Sequence, residues 1–144
     1  MRPWLVVALT VGCDQLTKFT IRAWLAPIQS LPVVPSVLHL TYVQNTGAAF
    51  GLFQGHTVTF ILLSAAVAAW IVLELMRKRH RRWSITLAMA LILGGAIGNL
   101  IDRLVFGYVI DFIDVRVWPV FNVADSSITI GVGLLMWHAI RHNS

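Results

Sequence analysis

Among the six acidic residues of this 144-residue chain, Asp111 and Asp125 are the two with no Lys or Arg within four positions. They sit in Val109-Ile110-Asp111-Phe112 and Phe121-Asn122-Val123-Ala124-Asp125, where apolar sequence gives way to polar. Two carboxylates at one face of a membrane suit general acid/base chemistry on a peptide bond, because one can take a proton while the other gives one. The residues alone leave other roles open. Asp125 can be a first-turn anion at the start of a helix, where the helix dipole favours negative charge, and Asp111 can be a solvated loop residue. Asp114 puts a second acid three positions from Asp111, and spacing does not choose between them.

Other chemistries lack their residues. His39, His56, His80, His138 and His142 show no metal-ligand spacing such as His-Glu-x-x-His. Lys18 is the only lysine outside the basic run at 77–82, and no serine sits in a nucleophile elbow. The lone Cys13 excludes an internal disulfide. Although it follows an apolar run in the manner of a lipoprotein signal, that run continues through Leu16, Phe19, Ile21 and Trp24, so Cys13 reads as a helix residue. Neither a metal nor a cofactor is expected.

The elements that must position the aspartates follow from composition. With 58% hydrophobic and 12% charged residues and a mean hydropathy of +0.78, the chain is an integral membrane protein rather than a soluble domain. A helix needs about 20 apolar residues to cross lipid, and four segments offer them, at about 4–24, 57–76, 83–105 and 120–140. The expected architecture is an all-α membrane protein of four transmembrane helices, residues 1–144 forming a single domain. Residues 25–56 contain Pro27, Pro32 and Pro35, then strand formers from Val37 to Val43, then Gly47, Gly51 and Gly55. They predict a small extracytoplasmic β-rich platform. The segment 106–119 is shorter, with alternating Val109, Asp111, Ile113 and Val115.

Arg2, the run Arg77-Lys78-Arg79-His80-Arg81-Arg82 and Arg141 lie on one side of these spans, and only Arg116 on the other. The positive-inside rule therefore places both termini in the cytoplasm. The net charge of +5 is a topology signal, not a nucleic-acid footprint.

Polar residues inside the spans must face protein or water. Asp14 and Lys18 are four apart and can pair; Asn99, Asp102 and Arg103 share a helical face, where Asp102 and Arg103 can pair. Such pairs can simply hold a bundle in register. Gly94-Gly95-Ala96-Ile97-Gly98 reads as a close helix contact.

Five ordered motifs carry a resemblance over essentially the whole chain: Asp14-Gln15-Leu16-Thr17-Lys18, Asn45-Thr46-Gly47-Ala48-Ala49-Phe50, Gly94 to Arg103, Val109 to Phe112 and Phe121 to Asp125. The chain resembles the lipoprotein signal peptidases, the type II signal peptidases of bacteria. The resemblance implies an aspartic endopeptidase of the cytoplasmic (inner) membrane that cuts prolipoproteins on the N-terminal side of a diacylglyceryl-modified cysteine. It assigns the catalytic pair to Asp111 and Asp125, and site-shaping or substrate-binding roles to Asp14, Lys18, Asn45, Asn99, Arg103 and Asn122. It also implies an active site on the extracytoplasmic face, contact with membrane lipid and inhibition by the cyclic peptide globomycin. The expected working unit is a monomer. Tyr42, Phe50 and Phe53 of the platform are candidates for a lid or for core packing. Two rivals come from other classes: a small transporter using Asp14 as a coupled site, and an assembly factor with no chemistry.

Overall fold

The computed structural model describes residues 3–26, 28–47, 55–77 and 82–142. The chain runs α1 (Pro3–Leu25), β1 (Ser30–Val34), β2 (Leu38–Asn45), α2 (Thr57–Met76), α3 (Trp83–Phe106), β3 (Val109–Asp114) and α4 (Val123–His142). Among the described residues three helices, α2, α3 and α4, are long and apolar enough to cross a membrane. With 23 residues, α1 is about 34 Å long, but Asp14, Lys18 and Arg22 make it less apolar than the others. It buries Asp14 and Lys18 in an inward polar stripe: Thr10, Asp14 and Lys18 are buried with Val7, Ile21 and Leu25, whereas Arg22 is exposed along with Leu9, Leu16, Phe19 and Trp24. Large apolar side chains are exposed along α2 and α4 as well, an exterior suited to lipid.

Helix α3 is the central element, packed against α1, α2 and α4. Small residues make that possible. A Cβ on Gly94 would lie 2.6 Å from Thr10 Cβ, one on Gly98 2.5 Å from the Asp14 carboxylate, and one on Gly131 2.7 Å from the Ala88 carbonyl. These contacts run α1 parallel and α4 antiparallel to α3. The starts of α1 and α3 and the ends of α2 and α4 therefore share one end of the bundle, with Arg77, Arg82 and Arg141. Near that end Val7, Ile71, Met89, Ala90 and Leu93 form an apolar core.

The opposite end carries the sheet, in the order β1-β2-β3 with both pairings antiparallel. The platform expected from residues 25–56 alone thus gains a third strand from the segment 106–119. The alternation from Val109 to Val115 did not by itself assign a strand there, and the pairing of Val43 with Asp111 and Asn45 with Val109 is set by contacts more than sixty residues apart. Ile21 and Leu25 of α1 pack with Ile110 and Phe112, mounting the sheet on the bundle, and Tyr42 packs against this same cluster. That is the core-packing alternative for Tyr42. Phe50 and Phe53 lie outside the described residues.

Two short connections aim the site. Helix α3 stops at Gly107, whose φ of 80° is the left-handed conformation glycine adopts freely, and its N–H bonds the Arg103 carbonyl. Strand β3 then starts at once. Past Asp114 the chain turns back, so that Phe121 pairs with Ile113. The start of α4 is thereby laid beside β3.

Candidate active site

Asp111 projects from β3 and Asp125 from the first turn of α4 into one cavity of about 700 Å³, which Asn45, Asn99 and Arg103 also line. Asn122 links the two. Its side-chain nitrogen donates to Asp111 Oδ1 at 2.7 Å, while its side-chain oxygen accepts from the Asp125 N–H at 2.8 Å. Asp125 Oδ2 in turn accepts from the Asn122 N–H at 3.3 Å. That reciprocal arrangement is a capping box in which Asn122 is the N-cap and Asp125 the N3 residue. The capping role open to Asp125 from sequence is real, yet it leaves the carboxylate facing the cavity.

Each aspartate receives a second amide. Asn45 Nδ2 donates to Asp111 Oδ2 at 2.9 Å, and the Asn45 side-chain Oδ1 accepts from the Gly47 N–H at 2.9 Å. Asn99 Nδ2 donates to Asp125 Oδ1 at 2.7 Å. Lys18 Nζ lies 2.9 Å from Asn99 Oδ1, and since an ammonium only donates, the Asn99 amide can present only its NH2 to Asp125. Both carboxylates are therefore bound by amides and by no cation at salt-bridge distance among the described residues.

This environment decides the protonation of Asp111. Burial, followed by the negative charge of Asp125, raises its pKa from 3.8 to about 7, against the hydrogen bonds from Asn45 and Asn122 and the charge of Lys18. A carboxyl group that holds its proton near neutral pH can donate a hydrogen bond and later ionise.

Asp114 is placed differently. It accepts from Thr41 Oγ1 at 3.0 Å, the Arg116 N–H at 2.9 Å and the Arg116 guanidinium at 3.1 Å. Its burial is outweighed by these bonds, so its pKa is lowered. It does not line the cavity. An offset of three residues along a strand reverses the face, which separates Asp111 from Asp114 where spacing alone could not.

Asp14, Lys18 and Asp102 lie beneath the cavity, at 0%, 2% and 0% exposure. Lys18 pairs with Asp14 at 2.8 Å, as their spacing predicts, and with Asp102 at 2.9 Å. The expected Asp102–Arg103 pair is not formed: Asp102 points into the bundle toward Lys18, and Arg103 points to the cavity. There Arg103 Nη2 donates to the Gly47 carbonyl at 3.3 Å and its guanidinium stacks over Phe60, 5.1 Å from the ring centre. Its buried Nε has no hydrogen-bond partner among the described residues. Gln15 was not among the expected site residues, yet its amide bridges Asp14, Asp102 and the Gly98 carbonyl at 3.2, 3.0 and 3.1 Å. A glutamine between Asp14 and Lys18 on an otherwise apolar helix was the available signal.

A lipid-compatible helical exterior around an asparagine-framed carboxylate pair defines a membrane protein equipped for acid/base chemistry at one end of its bundle. The chain belongs to the signal peptidase II family: residues 6–141 match the family described as Signal peptidase (SPase) II. It is 50% identical to the lipoprotein signal peptidase of Moorella thermoacetica over 139 residues, covering 96% of this chain and 93% of that protein. It is 44% identical to that of Halothermothrix orenii over 133 residues, covering 92% and 91%. A bacterial membrane enzyme solved by the in meso method at 2.3 Å matches with a TM-score of 0.90 at 34% identity, over 99% of this chain and 89% of its own.

Proposed function

We propose that Asp111 and Asp125 are the catalytic pair of a signal peptidase II that removes signal peptides from prolipoproteins bearing a diacylglyceryl-modified cysteine, cutting on its N-terminal side. The observation that carries the assignment is their shared cavity, in which two carboxylates joined through Asn122 have amide partners and, among the described residues, no cation at salt-bridge distance. Residues 1–144 act as one membrane domain in which α1 is the fourth span, its Asp14 and Lys18 enclosed against α3 and α4. Both termini are cytoplasmic, beside Arg77, Arg82 and Arg141, and the sheet and cavity face the extracytoplasmic side of the inner membrane. A cavity of this size suits an extended peptide of a few residues, with the acyl chains remaining in lipid.

In the mechanism, Asp111 enters protonated and donates a hydrogen bond to the scissile carbonyl oxygen, while ionised Asp125 takes a proton from a water in the cavity. The water oxygen adds to the carbonyl carbon, the C=O π electrons move to oxygen, and the Asp111 proton follows them. As the tetrahedral intermediate collapses, the C–N bond breaks and Asp125 returns its proton to the leaving amine. The re-forming carbonyl gives its proton back to Asp111, so both groups are regenerated. The amides of Asn45, Asn99 and Asn122 hold the pair in place, and the unpaired Nε of Arg103 is a donor for the substrate backbone. No step needs a metal or an organic cofactor.

The test is to incubate purified protein in detergent or lipid with a diacylglyceryl-modified prolipoprotein, and separately with the same chain bearing an unmodified cysteine. Release of signal peptide from the lipidated substrate is expected, with little from the other, because each buried methylene contributes about 0.8 kcal/mol to holding the bond in register. Globomycin should inhibit, a chelator should not, and the activity should persist in monomeric protein. Equal cleavage of both substrates, or loss to a chelator restored by metal, would contradict the proposal. The transporter alternative needs Asp14 in contact with a transported ion, but Asp14 is fully buried against Lys18 and does not line the cavity.

A further inference from the structure

We infer that Lys18 is a three-armed hub that sets the spacing of the aspartate pair, and that Asp102 and Asp14 are positioning residues acting through the backbone N–H groups of Ile110 and Ala124. This deepens the peptidase proposal and rests on it for its consequence in catalysis. An ammonium has three protons, and Lys18 gives one to each of Asp14 Oδ2 at 2.8 Å, Asp102 Oδ2 at 2.9 Å and Asn99 Oδ1 at 2.9 Å. Each acceptor then reaches one step further. Asp102 Oδ2 accepts from the Ile110 N–H at 3.0 Å, Asp14 Oδ1 accepts from the Ala124 N–H at 2.9 Å, and Asn99 Nδ2 donates to Asp125 at 2.7 Å.

Ile110 and Ala124 are the residues immediately before Asp111 and Asp125. A single buried cation on α1 thus locates the backbone that presents both candidate catalytic groups, one on β3 and one on α4. The geometry also gives the hub no slack: Gly98 leaves room for the Asp14 carboxylate only because it lacks a Cβ, which would lie 2.5 Å from Oδ2. Arg could not substitute for Lys18, since its planar fork cannot send three donors to three acceptors converging on one nitrogen. The neighbouring charges that face Asp111 are Asp125 from α4, Lys18 from α1 and Arg103 from α3, so a shift in spacing alters how Asp111 titrates as well as how fast the enzyme turns over.

The experiment compares Asp102→Asn with Asp102→Leu. Both replacements are neutral and branch at Cγ with four side-chain heavy atoms, but only Asn keeps an acceptor for the Ile110 N–H. Two readouts are taken at a temperature where both variants are folded by thermal melt: kcat and KM on lipidated prolipoprotein, and the titration of Asp111 by isotope-edited infrared spectroscopy of its carboxyl band. Loss of positioning at the scale of an ångström lowers rate by about a hundredfold, so Asp102→Leu should lose about that much kcat with KM nearly unchanged, and its Asp111 midpoint should move. Asp102→Asn should stay within about tenfold of the parent kcat, a loss of at most about 1.4 kcal/mol, with Asp111 titrating as before. The pair Asp14→Asn and Asp14→Leu repeats the comparison for Ala124, should either Asp102 variant fail to fold. Equal kcat in Asn and Leu variants with unmoved Asp111 titration would overturn the hub. A moved titration in the Leu variants alone, in a protein with no peptidase activity at all, would keep the hub and remove the peptidase proposal instead.

Discussion

Four of the chain's aspartates meet at the sheet end of the bundle, and they divide into two kinds. Asp14 and Asp102 share the Lys18 ammonium at 2.8 and 2.9 Å, whereas Asp111 and Asp125 are bound by the amides of Asn45, Asn99 and Asn122. On the proposed assignment, the same side chain is inert in the first setting and proton-exchanging in the second. A buried carboxylate fixed to a cation cannot cheaply give up its charge, because its partner would then be stranded in low dielectric. One that only accepts amide hydrogen bonds, next to a second carboxylate, is free to trade a proton.

The largest effect should come from abolishing that exchange. Asp125→Asn preserves volume and can still accept the Asn122 N–H, but it cannot take a proton from water. Cleavage of lipidated prolipoprotein should fall by about a thousandfold while the melting temperature stays close to that of the parent; substantial turnover would remove Asp125 from the pair.

On the other side of the comparison the effect belongs to stability. Lys18→Met leaves two buried carboxylates without their cation and should destabilise the fold by about 3 to 5 kcal/mol. Adding Asp14→Leu should restore part of the loss. Strictly additive losses in a double-mutant cycle of chemical or thermal unfolding would deny direct coupling between the two.

A third prediction concerns pH and separates the two kinds of aspartate by sign. The pKa of Asp111 is raised from 3.8 to about 7 by folding, so the folded state holds a proton that the unfolded state has released between those values. Its contribution is fully present below about pH 4 and is lost as pH rises to about 7. Asp111→Asn, which never ionises, should therefore gain stability relative to the parent over that range, by at most about 4 kcal/mol. A difference that is flat across the range would show that Asp111 ionises as easily in the fold as out of it.

The smallest effect is expected where an aspartate faces solvent through its partner. The Arg116 side chain is 50% exposed in its pair with Asp114, so Asp114→Asn should cost no more than about 1 kcal/mol. Because the pKa of Asp114 is lowered in the fold, this contribution is present at neutral pH and disappears in acid, the reverse of Asp111. Unfolding curves at neutral and acidic pH would show it.

Much of this division is legible in the sequence. Asp111 and Asp125 lack a cation within four positions, and Asp14 has Lys18 one helical turn away. The bounds of α2 and α3 follow almost residue for residue from the apolar runs between Thr57, Met76, Trp83 and Val105, since lipid thickness and charge leave few other ends for them. Resemblance was needed to prefer Asp111 over Asp114, and β3 supplies the physical reason by placing them on opposite faces. What was not legible depends on contacts distant in the chain. Asp102 takes Lys18 from α1 rather than its neighbour Arg103, because adjacent helix positions do not face each other, and β3 joins β2 through a pairing that no local pattern specifies. Asn122 was visible as a motif residue, but its service to both aspartates at once appears only when β3 and the start of α4 are laid side by side.

The most direct test sets Asp111→Asn beside Asp114→Asn, two identical chemical changes three residues apart on one strand, in the cleavage of a diacylglyceryl-modified prolipoprotein. With both variants confirmed folded and inserted, Asp111→Asn should release no signal peptide above background and Asp114→Asn should retain most of the parent's rate. An active Asp111→Asn, above all alongside a dead Asp114→Asn, would contradict the account.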